Sequence, residues 1–237
     1  MRTNATKAKL NGGEVVFGAI ISRHAPDLVE LFGALGYDFV MIDCEHGPMN
    51  LDEVEHMVRA AEVFGITPIT RIPDHSDSTI LRYLDRGVQG IIVPHVDTRD
   101  EADAIARAAR YYPEGHRGVG GGRVHDYGVG VSRDDSTRQV NAETLVIPMI
   151  EDTLAVENLE EILKVQGVDI LHVAAGDLGQ SMGNPGQSEV RRVMSEVIPK
   201  IRAAGKFVGV GGNSPADAKG VAEFIKLGAN FVTISAH

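Results

Sequence analysis

The sequence predicts one (β/α)8 barrel spanning residues 1–237. Three observations predict it. Short apolar runs recur eight times, each followed by a segment of helical length, and alternating β and α elements imply a parallel sheet. Titratable residues gather just past the ends of several of these runs. That is how a barrel collects chemistry at its C-terminal mouth, and it disfavours a doubly wound open sheet, which would use one switch point. With 43% hydrophobic residues, the 237-residue chain can also fill one large core.

Residues 1–14 read as a polar lead-in with a short helix stopped at Gly12-Gly13. A first strand is expected over 15–20 and a helix over 26–35, with Gly36 as its C-cap. The second strand, Phe39-Val-Met-Ile-Asp43, runs out into Cys44, Glu45 and His46 before Gly47-Pro48 breaks the chain. A helix over 51–64 puts Val54, Met57, Val58 and Ala61 on one face, and Gly65 ends it. The third strand is Thr67-Pro-Ile-Thr-Arg71, with a helix over 78–86 closed by Gly87; the fourth is 90–94, with a helix over 99–111.

A long glycine-rich loop at about 113–141 then breaks the rhythm. Connections of that length inside a domain are usually functional or disordered. We read it as a loop covering the site, whose glycine N–H groups, with Arg117 and Arg123, can meet an anion. Regularity resumes with a strand over 145–150 ending at Glu151, a helix over 156–164, and a strand over 169–174 leading into Gly176-Asp177-Leu178. After a polar turn through Asn184-Pro185-Gly186 come a helix over 188–203, a strand over 207–210, a helix over 215–227 and a strand over 231–234. The eighth helix is missing after the last strand, so either the chain is trimmed there or a neighbouring subunit closes that side.

The formal net charge of -10 argues against nucleic acid or a membrane surface as partner. The single cysteine, Cys44, rules out an intrachain disulfide and fits a reducing cytoplasm. It reads as a small filler at a strand end rather than a nucleophile. Neither a signal peptide nor a membrane-spanning stretch is visible, so a soluble cytoplasmic protein is expected. No dinucleotide glycine signature, Walker loop, Gly-x-Ser-x-Gly elbow or zinc-spaced histidine pair is present.

Sorted by strand end, the candidate mouth holds Asp43, Glu45 and His46, then Arg71, Glu151 and Asp177. Two carboxylates on adjacent strand ends, with no Cys or His beside them, suit a hard cation such as Mg²⁺ or Mn²⁺ completed by water and substrate oxygens. Each acid alone is more often a helix N-cap or a surface charge; it is the pair in matching positions that points to a metal. Arg71 at the end of an apolar strand needs an anion: a ligand oxygen, an ion pair with Asp43 or Glu45, or both. Metal, arginine and the His46 base together describe proton abstraction α to a carbonyl of a small 2-oxoacid, with the enolate charge held electrostatically. Among the other histidines, His24 is a possible substrate contact, His56 a solvated one and His95 ambiguous. His172 reads as packed core, and His116 and His125 ride the long loop.

Ile42-Asp-Cys-Glu-His-Gly-Pro48, Thr67-Pro-Ile-Thr-Arg-Ile-Pro73, Gly90-Ile-Ile-Val-Pro94, Tyr112-Pro-Glu-Gly-His-Arg-Gly-Val-Gly120, Ile150-Glu151, Asp177-Leu178 and Met182-Gly183 occur in this order. They resemble the HpcH/HpaI aldolases over nearly the whole chain. The resemblance implies a class II pyruvate aldolase, such as 4-hydroxy-2-oxoheptanedioate or 2-dehydro-3-deoxyglucarate aldolase, that reversibly cleaves 4-hydroxy-2-oxoacids to pyruvate and an aldehyde. It implies that Glu151 and Asp177 bind the metal (Mg²⁺ or Mn²⁺, with Co²⁺ or Zn²⁺ admissible) and that Arg71 holds the keto or enolate oxygen. Asp43, Gly176 and Asp177 would complete the substrate contacts. His46 would act on the proton through a water, paired with Asp85 of a neighbouring subunit. Trimers or hexamers exchanging C-terminal helices are implied as well.

Two departures stand out: Met149 where the family often has Gln, and Ala174-Ala175-Gly176-Asp177-Leu178 where it has Gly-Pro-x-Asp-Leu. We read them first as another way of building the same wall, and otherwise as a different 2-oxoacid donor or weaker activity. The alternatives on the same site are oxaloacetate decarboxylation, another enolate-forming lyase reaction, or a degenerate 2-oxoacid binder without turnover.

Overall fold

Eight parallel strands close into a barrel in strict chain order. A computed structural model describes residues 2–235. The strands are β1 (Val16–Ile21), β2 (Phe39–Asp43), β3 (Thr67–Arg71), β4 (Gly90–Val93), β5 (Leu145–Ile150), β6 (Ile170–Ala174), β7 (Phe207–Asn213) and β8 (Phe231–Ser235). The helices are α1 (Ala5–Asn11), α2 (Pro26–Ala34), α3 (Leu51–Phe64), α4 (Asp77–Asp85), α5 (Arg99–Ala108), α6 (Arg133–Glu143), α7 (Thr153–Glu157), α8 (Leu159–Ile162), α9 (Ala175–Ser181), α10 (Gln187–Ala203) and α11 (Ala218–Leu227). No helix among the described residues is long and apolar enough to cross a membrane.

The apolar strands read as continuous runs because both of their faces are buried. One face meets the helices, where Val40, Ile42, Val54, Met57, Ile91 and Val146 join one large cluster. The other fills the barrel axis with Phe39, Met41, Ile69, Ile92, Ile147, Met149 and Phe231. Phe39 and Phe231 stack across that axis, with ring centroids 4.1 Å apart. Gly18 makes this possible: a Cβ there would sit 2.1 Å from the Phe39 ring. The polar lead-in closes the bottom of the barrel. Leu10 of α1 enters the axial cluster. Asn4, fully buried, donates to the Gln89 and Glu143 carbonyls, and the Thr6 hydroxyl donates to Thr67.

Several elements differ from their expected form. Residues 133–141 lie in α6, and Arg123–Gly128 forms a 3-10 turn, so the glycine-rich connection is partly helical. Nor does it cover the mouth of its own chain. The Arg117 guanidinium is enclosed, bonded to Asp85 of α4 at 2.7 Å and seated 4.7 Å over the Tyr111 ring. Arg123 holds Glu62 of α3 through two bonds of 3.0 Å. Both cations are spent on the outer flank toward the bottom of the barrel, where Arg123 shares a cleft with Arg2, Glu62 and Gln89.

The expected helix over 156–164 is two short helices. The first begins at Thr153, where the Asp152 carboxylate accepts from the Leu154 N–H. The sequence marks the segment after β6 only as a strand exit. It is the helix α9, which places Gly176 and Asp177 in its first turn.

Candidate active site

Parallel pairing of β2 with β3 puts Asp43 and Arg71 directly opposite one another at the strand ends. Both side chains turn inward, and Arg71 closes a fork on Asp43: Nε donates at 3.0 Å and Nη2 at 2.8 Å. The third guanidinium nitrogen, Nη1, lies 3.0 Å from Glu45. The fork is thus fixed by two carboxylates at once, and Arg71 is only 8% exposed. Burial alone pushes the Asp43 carboxyl up. The Arg71 bonds and charge, with the His46 and Glu45 N–H groups, outweigh it and hold the carboxyl below its ordinary range. Burial likewise opposes the Arg71 cation, but Asp43, Glu45 and Glu151 together raise its pKa.

Glu151, one residue past β5, is 4% exposed. Its Oε1 accepts from the backbone N–H of His95 at 2.8 Å. His95 adopts a left-handed φ of 53°, uncommon outside glycine, two residues past β4. Its ring lies 3.5 Å from both Glu45 and Glu151 and so spans the two acids. Burial pushes the Glu151 carboxyl up; the His95 N–H pulls it down, and the charges of Asp177 and Glu45 add to the rise. A buried acid beside further acids is short of positive charge. Its all-oxygen surroundings match a hard cation better than a thiolate- or imidazole-seeking one. Among the described residues no three His, Cys, Asp or Glu side chains form a complete metal-binding group. Glu151 and Asp177 are the two acids at the mouth that could hold a cation, with water and substrate oxygens completing its shell.

A cavity of about 340 Å³ opens at the C-terminal mouth, lined by Ser22, Asp43, His46, Arg71, Gly176 and Asp177 among others. His46 stands exposed on its rim. The mouth therefore unites Asp43, Glu45, His46, Arg71, Glu151, Gly176 and Asp177. Asp85 is elsewhere. It ends α4, which runs back toward the bottom of the barrel, and is held there by Arg117; only a second copy of the chain can bring an Asp85 to His46.

His24 faces His56 of α3 on the flank, with ring centroids 6.2 Å apart, and does not line the mouth cavity. His116 bonds Asp77, and His125 is enclosed between Tyr111 and Ser136. Burial pushes the Cys44 thiol up to about 12, in keeping with a filler rather than a nucleophile. His95, ambiguous in sequence, is the residue the structure adds to the site; its one sequence signal is its place just past the fourth strand.

A guanidinium pinned between carboxylates and turned toward further acids at the mouth of a parallel barrel is equipment for handling an enolate. It sets the chain among the (β/α)8 lyases. The model of the HpcH/HpaI aldolase/citrate lyase family matches residues 18–236. The chain belongs to that family.

Curated relatives include 2-keto-3-deoxy-L-rhamnonate aldolases. That of Shigella sonnei (strain Ss046) is 35% identical over 98% of this chain and 86% of its own length. That of Escherichia coli O157:H7 is 34% identical over the same shares. Among solved structures, an HpcH/HpaI aldolase from Desulfitobacterium hafniense DCB-2 superposes with a TM-score of 0.90 at 31% identity, covering 97% of this chain and 89% of that one. Citrate synthase SbnG superposes at 0.87 and 32% identity, covering 99% and 91%.

Proposed function

We propose that the protein is a divalent-metal-dependent aldolase that reversibly cleaves 4-hydroxy-2-oxoacids to pyruvate, or a related 2-oxoacid, and an aldehyde. The observation that carries this reading is the Arg71 fork, fixed by Asp43 and Glu45 and facing Glu151. The guanidinium is preorganised, so it can receive the negative charge that grows on the keto oxygen without reorganising first. A bound Mg²⁺ or Mn²⁺ would polarise that carbonyl as a Lewis acid. Glu151 and Asp177 would hold the ion, and Gly176 in the first turn of α9 would face the carboxylate end. His46 would move the proton at the substrate hydroxyl through a water. Similarity to aldolases acting on a hydroxylated oxoacid supports the cleavage reaction.

The test is exchange of the pyruvate methyl hydrogens in D₂O, followed by NMR. Exchange should require Mg²⁺ or Mn²⁺ and stop with EDTA; equal rates with and without metal overturn the reading. Similarity to a citrate synthase favours a second reading, carbon–carbon bond chemistry on oxaloacetate. Decarboxylation of oxaloacetate would release pyruvate and CO₂ without an aldehyde, and condensation onto it would consume oxaloacetate without releasing pyruvate, so assaying pyruvate and aldehyde separates these from the aldolase reaction.

The same reading makes the working unit a cytoplasmic homo-oligomer, a trimer or hexamer, in which Asp85 of one copy serves His46 of another. His46→Ala and Asp85→Ala variants should each be inactive, and mixing them under subunit exchange should restore part of the activity. A mixture as dead as its components rules out the shared site.

A further inference from the structure

The last turn of α4 carries an arrangement that packing alone disfavours. Asp85 ends that helix, where a carboxylate meets the negative end of the helix dipole. Its salt-bridge partner is Arg117, whose Nη2 donates to Oδ1 at 2.7 Å. The Arg117 side chain is wholly enclosed, at 0% exposure against 24% for Asp85. Of its three nitrogens only Nη2 is bonded; Nε and Nη1 are buried without a hydrogen-bond partner. A buried cation gives up hydration that one bond does not replace, and an apolar side chain of that length would fill the same space without the penalty. What the guanidinium does there is hold the Asp85 carboxylate.

The surroundings fix the guanidinium in turn. Its carbon sits 4.7 Å from the centre of the Tyr111 ring, a stacking that suits a planar cation. That ring is itself clamped. Its hydroxyl pairs with Nε2 of His125 at 3.0 Å, and the Asn141 side chain accepts from the Tyr111 N–H at 2.8 Å and donates to the Tyr111 carbonyl at 2.9 Å. The Arg117 N–H is tied to the Arg110 carbonyl at 2.9 Å. The other oxygen of Asp85, Oδ2, takes no hydrogen bond among the described residues. It lies against Gly120, where a Cβ would crowd it at 3.3 Å. One oxygen of the carboxylate is thus pinned and the other is presented.

We propose that Arg117 is a positioning residue of the reaction: it fixes Asp85 through Oδ1 so that Oδ2 is presented to His46 of a second copy. This rests on the shared site proposed above, in which Asp85 serves His46 across a subunit boundary. An imidazole that moves a proton at one nitrogen needs its tautomer and ring angle set at the other, and an acceptor of fixed direction sets both. A carboxylate swinging freely on a helix end supplies the charge without the direction. Arg117 lies outside the mouth cavity and acts only through Asp85. The glycine-rich connection then has a part in the chemistry, since it carries Arg117 and Gly120 to the end of α4.

The experiment is a double-mutant cycle on the Mg²⁺-loaded protein, with wild type, Arg117→Met, Asp85→Ala and the double variant. The reaction followed is addition of pyruvate to glycolaldehyde or, where faster, glyceraldehyde. Arg117→Met should lower kcat by about ten- to a hundredfold and leave KM for pyruvate within about twofold. In an Asp85→Ala chain the same substitution should cost nothing further. Arg117→Lys, which can still reach one oxygen, should recover part of kcat. Subunit mixing reads the geometry: Arg117→Met should be rescued by His46→Ala, whose Asp85 is intact, and not by Asp85→Ala. An Arg117→Met chain with wild-type kcat overturns the assignment. So does a loss that multiplies onto that of Asp85→Ala, which makes Arg117 a packing element. If Arg117→Met does not fold, the cycle is run with Arg117→Lys; if neither folds, the residue is structural and the assignment falls. A wild type inactive in the addition, or a dead mixture of His46→Ala with Asp85→Ala, overturns the reading this rests on and the assignment with it. A live mixture beside an unaffected Arg117→Met overturns the assignment alone.

Discussion

Replacing Arg71 by alanine lowers turnover by roughly a hundred- to a thousandfold, the usual cost of deleting a preorganised donor to an oxyanion. It also destabilises the chain by about 3 kcal/mol, because Asp43 is left buried and unpaired. The pH dependence distinguishes this from simple loss of packing. In the wild type the Asp43 carboxyl titrates below its ordinary range. Its contribution is therefore present above the unfolded-state pKa and lost as pH falls through the lower folded one. Without Arg71, burial raises the same carboxyl, so the variant loses stability as pH climbs. The stability gap between the two should be full at a pH above both folded values and should shrink at an acidic pH below them. Arg71→Lys keeps a charge but not the fork, so it should recover part of the stability and little of the turnover. Urea denaturation at the two pH values and exchange kinetics on pyruvate read both effects; a gap independent of pH excludes the ion pair as its cause.

The sequence shows the strands most clearly where an apolar run meets a charge. β2 ends on Asp43, β3 on Arg71 and β5 just before Glu151, and their bounds match the expected ones. Those same residues are most of the candidate site, because in a barrel the inward position at a strand end is both boundary and mouth. The pairing of Arg71 with Asp43, one of the partners open to it from sequence, follows from register, and Glu45 meets the same guanidinium from the turn just past β2.

What stayed hidden depends on neighbours distant in the chain. α9 carries Gly176 and Gly179, which argue against a helix until packing supplies the reason. α6 is almost wholly polar and lacks an apolar stripe, so it passed for loop. The partners of Arg117 and Arg123 lie on α4 and α3, which no local pattern announces. His172 reads as packed core, and it is buried. The room that Gly209 and Gly211 leave for its ring shows only when β6 and β7 are side by side.

Exchanging Glu151 for glutamine should stabilise the metal-free chain while abolishing its response to metal. The folded-state pKa of Glu151 lies above the ordinary value, through burial first and then the charges of Asp177 and Glu45, against the pull of the His95 N–H. A group raised in this way favours folding below its unfolded pKa and loses that contribution as pH rises through the folded one. At neutral pH the ionised carboxylate therefore strains the metal-free site. Glutamine keeps a carbonyl for the His95 N–H and carries no charge. In EDTA the variant should melt above wild type at about pH 8, and the difference should vanish below about pH 4. Adding Mg²⁺ or Mn²⁺ reverses the order. Wild type gains about 2.7 kcal/mol at a metal concentration a hundred times its Kd, the variant gains nothing, and its turnover falls by about three orders of magnitude or more. Asp177→Asn should lose the metal response equally. Asp177 is exposed, so its replacement should barely move the metal-free melting point. A wild type that melts identically in EDTA and in Mg²⁺, yet turns over, would take these two acids out of the metal site and leave the Arg71 fork as the sole holder of the enolate.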